Sequence, residues 1–95
     1  MSAFIDDVKI ALRITTNAFD SEILDLIEAG KADLRLPGIT KVDESLPLIK
    51  RALITYCRIN FGQPDDYDRL KASYDEQKKQ LIMCSDYTDY GDVNG

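Results

Sequence analysis

The chain has 95 residues, of which 44% are hydrophobic and 31% are charged, and its net charge is −5. This composition excludes a wholly disordered protein, and the length fits one domain with a small core. The acidic balance argues against a general binder of nucleic acids or anionic membranes, because such proteins need a clustered excess of Lys and Arg.

The first helix is predicted from Ser2, a good N-cap, to about Arg13, because Ile5, Val8 and Leu12 recur with helical spacing. Acidic residues stand where a signal peptide would be basic. No apolar run approaches the roughly 18 residues of a membrane span. We therefore expect a protein that is made and kept in the cytoplasm and does not bind membranes.

The second helix shows the clearest period of the chain. It is predicted to start near Asn17 or Asp20 and to end at Pro37-Gly38. Gly30 falls on the apolar stripe, where glycine is unfavourable in a helix, so we expect another helix to approach closely at this point. The stripe consists of Phe19, Ile23, Leu26, Ile27, Gly30 and Leu34.

The third helix, predicted from an N-cap at Ser45 to about Phe61, is apolar on more than one face. One stripe contains Ile49, Ala52, Leu53, Tyr56 and Cys57. The polar residues form a narrow strip of Lys50, Arg51, Thr55 and Arg58. This distribution favours either a central helix packed on several sides or a helix that partly contacts another subunit.

The fourth helix is predicted from about Asp65 to Met83, after a left-handed turn at Gly62. Its apolar seam would contain Tyr67, Leu70, Tyr74, Gln77 and Leu81. Oppositely charged residues four positions apart support the helix, namely Asp65 with Arg69, Lys71 with Asp75, and Asp75 with Lys79.

These elements predict an all-α fold, a small bundle of about four helices joined by short loops. We expect a helical domain over residues 1–84 and a flexible acidic tail over residues 85–95. The tail holds Asp86, Asp89 and Asp92, which account for three of the five net negative charges.

Groups for catalysis or metal binding are scarce. The chain has no histidine, and its two cysteines form neither a disulfide framework nor a zinc spacing. Cys57, on an apolar stripe, is predicted to be a buried structural residue. The sequence therefore predicts no enzyme, no catalytic residue, no metal site and no cofactor.

Four segments resemble the small head–tail connector proteins of tailed bacteriophages and prophages, also called head completion or adaptor proteins. They are "ALRI", "FDSEILDLIEAGKADLRLPGI", "LPLIKRALITYCRINFG" and "PDDYDRLKASYDEQKKQL". The resemblance covers roughly residues 4–82 in order. Its most specific pieces are "ITYCRINFG", the following "PDD", and "LKASYDEQKKQL".

The resemblance implies a bundle of helices whose copies form a ring of about a dozen subunits. Such a ring docks beneath the portal protein after DNA packaging and extends the DNA channel, through which DNA passes without sequence-specific binding. It then presents a surface to a neck, stopper or tail-completion protein. The expected location is the head–tail interface of the virion, after assembly in the cytoplasm of the bacterial host.

Candidate contacts between subunits are predicted on the third and fourth helices: Ile54, Arg58, Phe61, Tyr67, Lys71 and Lys78. The alternative for each is packing within one subunit or a solvent-facing charge. For docking on the portal we expect the tail, with Tyr87 and Tyr90 as anchors, because an acidic segment with aromatic residues can fold onto a partner.

A second hypothesis is a small helical regulator or DNA-packaging accessory protein. It would bind nucleic acid through Lys50, Arg51 and Arg58. This function would require DNA binding that weakens steeply as the salt concentration rises.

Overall fold

The computed structural model describes residues 4–62 and 64–83. Four helices occupy most of this part of the chain, and the all-α prediction is confirmed. Their bounds are Phe4–Leu12 (α1), Asp20–Arg35 (α2), Pro47–Asn60 (α3) and Tyr67–Met83 (α4). The predicted domain limit at residue 84 lies outside the described residues and stays a prediction.

Helix α3 lies at the centre of the bundle and packs against α1, α2 and α4. Ile49, Ala52, Leu53 and Cys57 are fully buried along it. The interpretation of α3 as a central helix packed on several sides is therefore confirmed. Thr55 was predicted on the polar strip but is buried, because its hydroxyl donates a hydrogen bond of 2.9 Å to the carbonyl of Arg51 and so needs no water.

The core consists of two clusters that meet at α3. In one, α1 closes over α2 and α3, with Val8, Ile23, Ile27 and Cys57 buried together. The other joins α2, α3 and α4. It also contains Ile39, a fully buried residue of the connection between α2 and α3 that the helical periods did not single out.

Helices α2 and α3 approach closely at Gly30, as predicted. A Cβ atom at this position would lie 3.0 Å from Cδ1 of Tyr56 and 3.1 Å from Cδ2 of Leu53. Because these distances are shorter than ordinary contacts between carbon atoms, any side chain at position 30 would require Tyr56 and Leu53 to shift.

The helix ends differ from the predictions in local detail. α1 ends at Leu12 because Arg13 takes a left-handed conformation, with φ of 61°, and its N–H donates to the carbonyl of Ile10. Ser45 is not the N-cap of α3, since Leu46 occupies that position with no side-chain cap. The backbone N–H of Ser45 instead donates to the carboxylate of Asp43 at 2.9 Å, which lowers the pKa of Asp43.

The connection into α4 follows the prediction at Gly62, whose φ is +72°. The helix itself begins at Tyr67, two positions after the predicted Asp65. Arg69 consequently pairs with Asp66 and not with Asp65. The predicted pair of Lys71 and Asp75 is present, at 2.9 Å.

Replacing Gly30 by leucine tests the close approach of α2 and α3. We expect Gly30→Leu to lower the free energy of unfolding by about 2 kcal/mol, because the new side chain forces Tyr56 and Leu53 apart. Urea unfolding followed by circular dichroism measures the change. The control is Ala29→Leu on the exposed side of the same helix, which should unfold almost like the wild type. Equal stability of the two variants would contradict the packing described.

Candidate interaction surface

One side of α3 is left uncovered by the other helices. It carries Arg51 and Arg58, which are exposed, and the half-buried Ile54. Neither arginine side chain forms an ion pair or a hydrogen bond within residues 4–62 and 64–83. This side of the central helix is therefore polar and positively charged, and it is open to a partner.

Two adjoining cavities continue from this side of α3 along α4 and share Arg51, Ser73 and Gln77 in their walls. Together they form a single elongated depression, which we call the α3–α4 groove. Its walls comprise Leu48, Arg51, Ile54, Thr55 and Arg58 from α3, and Arg69, Leu70, Ser73, Glu76, Gln77, Gln80 and Leu81 from α4.

The α3–α4 groove has an excess of positive charge in an acidic chain. Arg51 and Arg58 are unpaired within the described residues, and Arg69 is paired with Asp66. Glu76 is the acidic residue in the wall. Oε1 of Gln77 is buried and has no hydrogen-bond partner in the part of the chain that the structure describes.

The structure divides the six predicted contact residues between different surfaces. Ile54 and Arg58 line the α3–α4 groove. Phe61 packs within the subunit, edge-to-face against Phe19 with ring centroids 5.5 Å apart. The three residues predicted on α4 lie on its other side, in a cleft shared with α2: Tyr67, Lys71 and Lys78.

The sequence reasoning missed the α4 side of the groove. Arg69, Ser73 and Gln77 are spaced four residues apart and form one stripe beside the buried Leu70 and Tyr74. That spacing was present in the sequence. Because Arg69 was assigned to an ion pair with Asp65, and Gln77 to the apolar seam, the polar stripe was not recognised.

A model of the phage connector protein family matches residues 4–88 of the chain. The chain belongs to the phage connector family. No curated protein and no solved structure matches it significantly. Family membership supports a general role as a head–tail connector, a structural component of the virion that interacts with other proteins of the phage head and tail.

In this connector, a network in the cleft links α2 to α4. The hydroxyl of Tyr74 donates a hydrogen bond of 2.6 Å to Oδ2 of Asp33, and Nζ of Lys78 lies 3.3 Å from the same oxygen. The Lys78 ammonium also lies 4.9 Å from the centre of the Tyr74 ring. Burial, and then the bond to Asp33, raise the pKa of Tyr74, so the phenol stays protonated and keeps donating.

This network gives Lys78 a structural role within one subunit. Lys71 has such a role too, through its ion pair with Asp75. Tyr67, in contrast, is 47% exposed and presents its ring to solvent. Of the three predicted α4 contacts, Tyr67 is therefore the one that a neighbouring molecule could cover without breaking a contact described here.

The connector shows no group of side chains suited to metal binding within the described residues.

Burial raises the pKa of the Cys57 thiol from 9.0 to about 12, so this side chain stays neutral at physiological pH and is a poor nucleophile. Cys57 is fully buried, as predicted.

None of the described helices has the length and apolar character needed to span a membrane. Tyr87 and Tyr90 lie outside the described residues.

Removal of the Tyr74 hydroxyl tests the network between α2 and α4. We expect Tyr74→Phe to lower the free energy of unfolding by about 1–2 kcal/mol, because the buried phenol donates to a charged acceptor. Chemical unfolding measures this change. The matched control is Tyr67→Phe, which removes a hydroxyl from an exposed ring and should leave stability unchanged. A neutral Tyr74→Phe variant would argue against the network.

The reactivity of Cys57 tests its burial. In a Cys84→Ser background, we expect no reaction with a thiol reagent at pH 8 in the folded protein, because the thiol is both buried and protonated. The same reagent should label one thiol per chain in urea. Rapid labelling of the folded protein would contradict the burial of Cys57 in the core cluster that it forms with Val8, Ile23 and Ile27.

Proposed function

We propose that the connector assembles as a ring of about a dozen copies beneath the portal protein after DNA packaging. In this position it extends the DNA channel and joins the head to a neck, stopper or tail-completion protein. The observation that carries the proposal is the match to the connector family over residues 4–88. The uncovered side of α3 supports it, since a small domain gains stability when identical neighbours cover such a surface.

The charge of the chain suits a conduit for DNA. With a net charge of −5, a ring of these subunits would carry a large negative charge. A wall that repels phosphate weakly lets the genome slide, whereas a strongly basic wall would hold it. The proposed ring therefore surrounds DNA without binding it in a sequence-specific way.

Within this proposal, contacts between subunits involve the α3–α4 groove and the exposed edge of the cleft. Ile54 and Arg58 lie in the groove, and Tyr67 lies at the cleft. Phe61, Lys71 and Lys78 would extend the contact from their existing partners within the subunit. The portal is contacted by the tail, residues 85–95, through Tyr87 and Tyr90.

Assembly is tested by native mass spectrometry of the purified chain, alone and with the portal protein of the same phage. We expect a closed oligomer of about a dozen copies, at least when the portal is present. Electron microscopy of the phage neck should show this polypeptide at the head–tail interface. Absence of its density from the neck of intact particles would refute the proposed role.

Deletion of the tail separates portal docking from folding. We expect a chain that ends at residue 84 to unfold like the full-length protein, since the packing described above lies within residues 4–83. The same variant should lose binding to the portal, measured by co-sedimentation. The matched variant Tyr87→Ser/Tyr90→Ser keeps the full chain length and the three aspartates of the tail. Undiminished portal binding by both variants would exclude the tail as the docking segment.

The alternative function, a nucleic-acid-binding regulator or packaging accessory protein, is favoured by the unpaired Arg51 and Arg58. The third predicted contact, Lys50, is already engaged with Asp7 at 3.0 Å. DNA binding measured between 50 and 200 mM salt tests this function, because neutralised phosphates release counterions. Affinity that falls steeply with salt and is lost in Arg51→Ala/Arg58→Ala would favour it over the ring.

A further inference from the structure

We infer that the α3–α4 groove binds the outer face of helix α2 from a second copy of the chain. This face consists of the exposed residues Ser21, Glu22, Asp25, Glu28, Ala29 and Ala32. The inference rests on the proposed ring and identifies the two surfaces that meet in it. Its support comes from charge, length and position.

The charges of the two surfaces are complementary. Arg51 and Arg58 in the groove have no ionic partner among residues 4–62 and 64–83. On the outer face of α2, Glu22 and Asp25 likewise have none among those residues. A contact between two copies would pair arginines with carboxylates, in a geometry that the guanidinium group favours.

The two surfaces also match in length. Along α4 the groove extends from Arg69 to Leu81, which at 1.5 Å per residue is about 18 Å. The outer face of α2 extends from Ser21 to Ala32, about 17 Å. Ala29 and Ala32 give the C-terminal half of this face short side chains beside the exposed Glu28.

The two surfaces lie on opposite sides of the subunit. Helix α2 packs on the side of α3 that carries Leu53 and Tyr56, next to Gly30. An α-helix turns about 100° per residue, which places Arg51 and Arg58 roughly half a turn away. Surfaces in this arrangement produce a head-to-tail contact, which closes into a ring when the rotation between neighbours is constant and suitable.

Charge reversal tests the inference in three steps. The groove variant Arg51→Glu/Arg58→Glu and the α2 variant Glu22→Arg/Asp25→Arg should each raise the protein concentration for half-assembly about 100-fold, because like charges then face each other. Analytical ultracentrifugation measures this concentration, with and without the portal protein. Circular dichroism should show that both variants remain folded, since all four positions are exposed.

Combining the two reversals should restore assembly. In an equimolar mixture, each groove variant faces an α2 variant on both sides, so every contact is again between opposite charges. Native mass spectrometry should find equal numbers of the two chains in the oligomer. A single chain with all four substitutions should also assemble, and it does so whether the ring has an even or an odd number of subunits.

The matched control is Lys41→Glu/Lys79→Glu, which changes the net charge as much as the groove variant does. Both lysines are exposed and lie outside the groove and the outer face of α2. This control should assemble like the wild type. Assembly should also weaken with increasing salt in the wild type, since exposed charges are screened over roughly 8 Å at physiological ionic strength.

Three results would overturn the inference. Assembly of the groove variant at wild-type concentration would show that the groove is not the contact. Failure of both the mixture and the four-substitution chain would show that the groove binds something other than α2, such as residues 84–95 or DNA. Loss of assembly in the control would show that the groove variant fails to assemble because of its changed net charge and not because of the position of its substitutions. The proposed ring itself fails by a different result, namely a wild type that neither self-associates nor binds the portal.

Discussion

The burial of α3 between the other three helices is the interaction on which the structure depends. Every element is positioned relative to this helix, because α1 and α2 share one core cluster with it, and α2 and α4 share the other. The separation of α2 from α3 is set by the missing side chain at Gly30. Since three sides of α3 are committed to packing, the fourth side is the one whose residues are free to serve a partner.

The basic residues divide between two roles. Several lysines hold the subunit together: Lys9 with Asp20, Lys31 with Glu44, Lys50 with Asp7, and Lys78 with Asp33. Arg51 and Arg58 take no part in such pairs within the described residues. Arginine is well suited to contacts between molecules, because its planar group is weakly hydrated and binds carboxylates through two hydrogen bonds. This division of charges leaves the uncovered side of α3 as a basic surface that is available to a partner.

Helical periodicity predicted the four helices and most of their buried residues, because a stripe that recurs every 3.6 residues depends only on local sequence. The close approach at Gly30 followed from the same pattern. The helix ends were less predictable, since Arg13, Leu46 and Asp66 take their roles from local backbone geometry that many residues can adopt. The groove itself was not predicted. Ile54 and Arg58 stood out on α3, but Arg69 and Ser73 acquire meaning only when α4 is placed beside α3.

The bond between Tyr74 and Asp33 has a mechanical consequence. It joins α2 to α4 directly, at 2.6 Å, across the face of α3. In the proposed ring, α2 and α4 carry the two surfaces by which a subunit holds its neighbours, so tension around the circumference passes through this bond as well as through the apolar core. In such a ring, this charge-assisted bond would resist the separation of α2 from α4.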